Sequence, residues 1–155
     1  MKKSLYLFTI LFGALLLTGC GKNIKTLTCT LEQKINGQYG SMIIEEKVTY
    51  NEDTTEFEKL HYRLTVDLTD ETAISDAKKE EALKALKTNL DSLCDDALKN
   101  GAQTCTVTTP KQYSVEINSE GDVTSGAIDN AVANLGTLEE MKTYFEGQNY
   151  TCKEE

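Results

Sequence analysis

The spacing of apolar residues changes along the chain, and this change restricts the fold more than any other feature of the sequence. From residue 24 to residue 68 apolar and polar residues alternate, which is the period of a strand with one buried face. From residue 74 to residue 100 apolar residues recur every three or four positions, which is the period of a helix. Alternation then returns. A chain that passes between the two periods in this way predicts an α+β fold.

The first alternating part predicts three strands joined by short turns, an antiparallel meander with one solvated face. Glu46 is an exception in the second strand, since it occupies a position that its neighbours Met42, Ile44 and Val48 fill with apolar side chains. The three runs cover residues 24–36, 42–50 and 60–68, with turns at residues 36–40 and 51–53.

The helical part predicts one long helix of about 23 residues within residues 74–100. Thr72 or Ser75 is expected to cap its start, and Asn100 with Gly101 to end it. A helix of this length is long enough to cover the sheet.

The C-terminal third predicts a hairpin and shorter elements. Pro110 separates the two hairpin strands, and Thr137 with Glu140 forms a capping-box pattern at the start of the last helix. The elements are, in order, two strands, a loop, two short helices and an edge strand: residues 103–109, 111–118, 119–122, 128–135, 138–147 and 150–152. The predicted architecture is an antiparallel sheet of five or six strands, a meander plus a hairpin, with the long helix and the shorter helices packed on one face.

The first twenty residues are typical of a secretory leader. Two lysines precede an apolar run too short for a transmembrane helix, which needs roughly 20 residues. The run ends in Leu17-Thr18-Gly19-Cys20, which resembles the lipobox of bacterial lipoproteins. The small residues let an extended backbone enter the signal peptidase, and the Cys20 thiol becomes a lipid thioether. An ordinary secretory signal with a chance cysteine is the alternative.

The lipobox predicts how the chain is processed and placed. Residues 1–19 are expected to be removed, residues 20–25 to form the lipidated cysteine and a short tether, and residues 26–155 to form a single domain. Palmitate-type acyl chains on Cys20 would anchor the protein to the extracytoplasmic face of a bacterial membrane, because two or three chains bind stably.

The net charge limits the possible partners. The chain carries −9, and removal of the two leader lysines lowers this to −11. Nucleic-acid binding depends on clustered Lys and Arg, so DNA and RNA are excluded as expected partners. Anionic lipid head groups would also repel this chain, so the membrane is expected to hold it through Cys20 and not through a basic patch.

Four cysteines follow Cys20, an even number in a chain expected outside the cytoplasm, where cysteines pair. Cys94 lies about 10 Å before Gly101 along a helix, and Cys105 lies about 13 Å after it along a returning strand. The two sulfurs are therefore predicted at the same height and bonded, which leaves Cys29 to pair with Cys152. Free buried thiols are one alternative. A zinc site is another, although no Cys-x-x-Cys pair is present.

The sequence contains no recognisable catalytic constellation. His61, the only histidine, alternates with apolar residues between Lys59 and Arg63, which places it on the polar side of a strand. Neither a nucleophile elbow nor a phosphate-binding glycine loop occurs. No catalytic residue, metal or cofactor is predicted. Three acidic segments would suit calcium only weakly, since none has the EF-hand spacing: residues 51–53, 67–71 and 118–122.

These features favour a non-enzymatic lipoprotein that binds a small molecule, an envelope polymer or a surface protein. An extracytoplasmic enzyme using carboxylates and a structural or assembly lipoprotein are the alternatives.

The order of elements resembles that of the small YehR-like bacterial lipoproteins. The resemblance spans most of the chain and is carried by residues 17–20, 46–68, 78–100 and 137–153. It implies a single lipid-anchored α+β domain and assigns no catalytic residue. The four cysteines after the leader depart from the family pattern.

Overall fold

The computed structural model describes residues 23–34, 40–122 and 135–155. The predicted leader, the lipobox and Cys20 lie outside these residues, as does the helix predicted at residues 128–135 except for its last residue. The described residues form six strands and two helices: β1 Ile24–Lys34, β2 Ser41–Asn51, β3 Glu56–Asp67, α1 Asp76–Lys99, β4 Ala102–Thr108, β5 Ser114–Asp122, α2 Leu138–Gly147 and β6 Thr151–Glu154.

The six strands form one antiparallel sheet in the order β4-β5-β3-β2-β1-β6. The first three strands are the predicted meander. The predicted hairpin is β4 with β5, and its second strand pairs with β3. The closing strand β6 pairs with β1 at the other edge. The α+β class and the antiparallel sheet are therefore confirmed.

The end of β5 differs from the sequence expectation. Residues 119–122, predicted as a loop, continue the strand and pair with β3, as Ser119 does with Tyr62. Glycine and acidic residues have low strand propensity. Here they follow the strand pattern because β5 has a hydrogen-bonding neighbour on each side, and such pairing overrides a weak local preference.

The start of β5 differs as well. Residues 111–113, predicted as strand, form the turn that precedes Ser114. In this turn the Lys111 backbone N–H donates to the Ser114 hydroxyl at 2.9 Å, and the Tyr113 carbonyl accepts from the Leu68 N–H at 2.8 Å. The first bond is local to the turn, whereas the second joins the turn to the residue that follows β3.

The helix ends follow the predicted signals. Ser75 is the N-cap residue of α1, although its hydroxyl makes no capping bond, and Gly101, at φ +103°, follows the C-cap Asn100. Glycine adopts this left-handed conformation without a Cβ clash. At the start of α2 the Thr137 hydroxyl accepts from the Glu140 N–H at 3.2 Å, and the Glu140 carboxylate accepts from the Thr137 N–H at 3.1 Å. Neither helix of the described chain is long and apolar enough to cross a bilayer.

The buried side chains form two clusters. Leu60 belongs to the first cluster and Val66 to the second. These residues are six positions apart in β3, so their side chains lie on the same side of the sheet, and we call this side the helix side. The first core joins α2 to the meander and contains Leu27, Cys29, Val48, Leu60, Leu138, Met141 and Phe145. The second core joins α1 to β3 and β5 and contains Val66, Leu68, Leu83, Leu90, Cys94, Val115 and Ile117.

Two disulfides join the four described cysteines. Cys29 of β1 bonds to Cys152 of β6, and Cys94 of α1 bonds to Cys105 of β4, with Cα–Cα distances of 4.0 and 5.3 Å. The pairing that the cysteine spacing predicts is the pairing present. A sulfur held in one of these bonds is neither a free thiol nor a thiolate ligand.

Candidate binding site

One row of side chains crosses the whole sheet on the helix side. Residues paired directly across neighbouring strands project to the same side, so the register defines the row. From β6 to β4 this central row consists of Cys152, Cys29, Glu46, Tyr62, Ser119 and Cys105. Both ends are disulfide cysteines, and Glu46 with Tyr62 forms the centre.

The centre of the row lies between the strands that the helices contact most. α1 lies against β4 and β5, whereas α2 lies against β1 and β6. Between these pairs lie β2 and β3, whose helix-side residues include the half-buried Met42, Ile44, Glu46, Tyr62 and Leu64. These five positions of β2 and β3 are therefore less deeply buried than the residues of the two cores.

Glu46 is a charged residue among apolar and aromatic neighbours. No other charged side chain occupies the helix side between Met42 and Val48 of β2 or between Leu60 and Val66 of β3. Within the described residues its carboxylate has no hydrogen bond or ion pair. In that same part of the chain every fully buried side-chain oxygen has a hydrogen-bond partner. The Glu46 oxygens therefore keep some contact with solvent.

The pKa of Glu46 is shifted by its surroundings, and its charge in turn shifts the pKa of two tyrosines. Burial raises the pKa of Glu46 from 4.5 to about 7. Burial, followed by the Glu46 charge, raises the pKa of Tyr62 to about 12. The pKa of Tyr150 is raised by the same two causes in the same order. Both phenols therefore keep their protons at neutral pH and lie within electrostatic reach of the carboxylate.

Tyr150 reaches this position through the turn that follows α2. Asn149 has a left-handed φ of +68°, and the Tyr150 N–H donates to the Phe145 carbonyl at 3.1 Å. The Tyr150 ring packs on the first core with its centroid 5.2 Å from that of Phe145. The chain then enters β6, so Tyr150 lies two residues from the end of the central row.

The opposite side of the sheet carries paired charges. Arg63 binds Glu45 across β2 and β3, and Lys59 binds Glu120 across β3 and β5, each at 2.9 Å. His61 alternates with the helix-side residues and is paired in register with Glu120, so it belongs to this polar side. It is separated from Glu46 by the thickness of the sheet and takes no part in the central row.

The acidic turns use their side chains in local hydrogen bonds. The Asn51 amide oxygen accepts from the Asp53 N–H at 3.0 Å, and the Asp67 carboxylate accepts from the Thr69 N–H at 2.8 Å. A cavity of about 450 Å³ adjoins Asp67 and Glu71. Across the described ranges, no group of three or more His, Cys, Asp or Glu residues is placed to hold a metal ion.

Sequence reasoning locates the ends of the central row but not its centre. Cysteine spacing predicts which sulfurs meet. Glu46 is visible in the sequence as an acid in an apolar alternation, and that break in the pattern is the signal that marks it. Tyr150 gives no such signal, because its approach to Glu46 depends on β6 pairing with β1.

The chain was compared with known proteins, and no family model, curated protein or solved structure matches it. Its function is therefore inferred from its own residues.

Proposed function

We propose that this chain is a bacterial envelope lipoprotein whose folded domain is a non-enzymatic binding module. Lipid on Cys20 would hold it on the extracytoplasmic face of a membrane after removal of residues 1–19, with residues 20–25 as the tether and residues 26–155 as the domain. The lipobox at residues 17–20 supports the anchor. The two disulfides agree with this placement, because disulfides persist mainly in oxidising compartments.

The observation that carries a binding role is the carboxylate of Glu46, which has no hydrogen bond or ion pair among the described residues and lies at the half-buried centre of the sheet. A buried charge without a partner costs free energy, which a ligand with a complementary group would recover. Tyr62, its partner in the register, supplies an aromatic ring and a hydroxyl group, and Tyr150 lies within electrostatic reach. Small-molecule sites are usually lined by apolar and aromatic side chains with a few polar groups. A small molecule therefore fits this site better than an envelope polymer or a surface protein.

A carboxylate-based enzyme is the second candidate, and the raised pKa of Glu46 favours it. A general acid or base works best when its pKa lies near the working pH. Glycoside hydrolysis, however, uses two carboxyl groups about 5–10 Å apart. Glu46 is the single acid that β2 and β3 place at the centre of the helix side, so the site is better suited to holding a ligand than to acting on one.

The proposal includes the finer architecture that the sequence predicts, with the helices packed on one face. Leu60 and Val66, which contact the clusters of α2 and α1 respectively, support it because they share one side of β3. The same element order underlies the resemblance to YehR-like lipoproteins, and we extend the proposal to membership of that group.

Thermal denaturation of the full chain in non-ionic detergent tests the binding role. A ligand that binds only the folded state at 100 times its Kd stabilises that state by about 2.7 kcal/mol. We expect small molecules that raise the Tm of the wild type but not that of Glu46→Gln. Conversion of such a ligand into a product, detected by mass spectrometry, would contradict a binding role and favour the enzyme.

A further inference from the structure

We propose that the central row binds an organic ammonium ion, with the cationic nitrogen against Glu46 and Tyr62 and an apolar body along Ile44 and Leu64. This inference rests on the proposed binding function and names the chemical class of its ligand.

The sign of the ligand's charge follows from where the chain places its own charges. The cations of the two central strands, Lys47, Lys59 and Arg63, alternate with the helix-side residues and therefore lie on the opposite side of the sheet. Neither β2 nor β3 therefore supplies Glu46 with a cation on its own side, and Lys142 of α2 is paired with Glu154 at 3.7 Å. A cationic ligand would supply the missing partner, a neutral ligand would leave the carboxylate unpaired, and an anionic ligand would be repelled.

The aromatic neighbours favour the same class. Tyr62 is directly opposite Glu46 in the register, at a Cβ–Cβ distance of about 5 Å for such a pair, and Tyr150 lies within reach of the same charge. The face of a tyrosine ring attracts ammonium groups, most strongly where water is partly excluded. A carboxylate directly opposite one tyrosine and within electrostatic reach of a second therefore combines ion pairing with cation–π attraction.

The neighbouring pairs set the direction and approximate length of the ligand. On one side of the Glu46–Tyr62 pair, Val48 and Leu60 are buried in the first core. On the other side the Ile44–Leu64 pair is half-buried and apolar, with Leu64 packed against the edge of the second core and Ile44 outside both cores. Residues two positions apart on a strand are separated by about 7 Å. The ligand is therefore an amine whose apolar group lies about 7 Å from its nitrogen.

Three probes with one body and different charges test the proposal: 4-phenylbutylammonium, 4-phenylbutanol and 4-phenylbutyrate. Each is titrated calorimetrically into the full chain in non-ionic detergent at pH 8, with the detergent alone as the blank. We expect the ammonium probe to bind at least tenfold more tightly than the alcohol, and the carboxylate probe to bind more weakly than either.

Two substitutions at adjacent glutamates locate the site. Glu46→Gln should abolish the preference for the ammonium probe. Glu45→Gln is the matched control, because Glu45 lies on the opposite side of the sheet and is paired with Arg63 at 2.9 Å, and it should keep the preference. Tyr62→Leu retains the acid and removes one ring, so it should reduce the preference several-fold and provides a second test.

Equal binding of the ammonium and alcohol probes would overturn the ligand class while leaving a binding site in place. A preference that persists in Glu46→Gln, or that Glu45→Gln removes, would overturn the assignment to the central row. Absence of saturable binding by all three probes would also overturn this inference, whereas the broader thermal screen with Glu46→Gln decides the binding function itself.

Discussion

At the scale of single residues, the surroundings of Glu46 oppose its charge. Its apolar neighbours on β2 and β3 are typical of a core-facing strand, and they remove water without supplying a hydrogen bond or an ion pair within the described residues. An apolar or amide side chain at this position would avoid the cost of burying a charge. The acid therefore contributes more readily to binding than to stability.

The effect of pH on stability follows from the raised pKa of Glu46. The folded-state pKa is about 7 and the ordinary value is 4.5, so between these values the folded chain holds more protons than the unfolded chain. The contribution of this residue to the free energy of unfolding therefore falls as pH rises from about 4.5 to about 7. We expect Glu46→Gln to be more stable than the wild type by about 3 kcal/mol at pH 8 and nearly equal to it at pH 4. Urea denaturation at the two pH values measures this.

Glu45→Gln controls for the loss of one carboxylate. It removes the partner of Arg63 on the solvated side, so it should destabilise the chain by less than about 1 kcal/mol at pH 8. A Glu46→Gln variant that is less stable than the wild type at pH 8 would mean that the carboxylate has a stabilising partner.

At the scale of elements, each edge of the sheet is joined by a disulfide to another element. The β6 strand has only four residues, all paired with β1, and Cys152 of this strand bonds to Cys29 directly opposite. At the other edge β4 is bonded to α1 through Cys105 and Cys94. The first bond closes a separation of 123 residues and the second a separation of 11.

Removing the two disulfides should cost unequal amounts. In the chain-entropy model the longer loop contributes about 5 kcal/mol and the shorter about 3 kcal/mol. We therefore expect Cys29→Ala/Cys152→Ala to lower the free energy of unfolding more than Cys94→Ala/Cys105→Ala, as measured by urea denaturation. Amide hydrogen exchange should also accelerate in β6, because that short edge strand loses its covalent attachment.

The shorter-loop variant serves as the control, since it should leave exchange in β6 unchanged. Equal destabilisation of the two variants would indicate that the unfolded chain is already compact enough to make loop length unimportant.

At the scale of the whole molecule, charge and anchoring oppose each other. A mature chain of charge −11 would be repelled by anionic head groups, so the proposed attachment depends on lipid. The central row would then bind its ligand close to the membrane surface, because the proposed tether covers only residues 20–25.

The anchor is tested by labelling cells that express the full chain with radioactive palmitate. The wild type should incorporate label into a chain shortened by the leader, whereas Cys20→Ser should incorporate none, because the hydroxyl does not form the lipid thioether. Gly19→Ala keeps a small residue beside the cleavage site and should retain the label. Label in Cys20→Ser would show that the lipid is attached to another residue.

Much of this fold could be predicted from the sequence alone, because it depends on residues that are close together along the chain. The change between periods two and 3.6 predicts the meander, the long helix and the hairpin. The cysteine spacing predicts the Cys94–Cys105 bond, which the structure contains. The rise per residue of a helix and of a strand places the two cysteines at similar distances from the turn between α1 and β4. The capping box at Thr137 depends on residues three apart and is confirmed for the same reason.

The tertiary structure alone decided what depends on distant residues. Residues 119–122 became strand because β3 and β4 flank them, which their local propensity does not indicate. Glu46 acquired its environment from Tyr62 on the next strand and from Tyr150, more than a hundred residues later in the chain. Sequence periodicity reports which side a residue faces, but the group that meets it there is set by sheet order and register, which arise from contacts between distant parts of the chain.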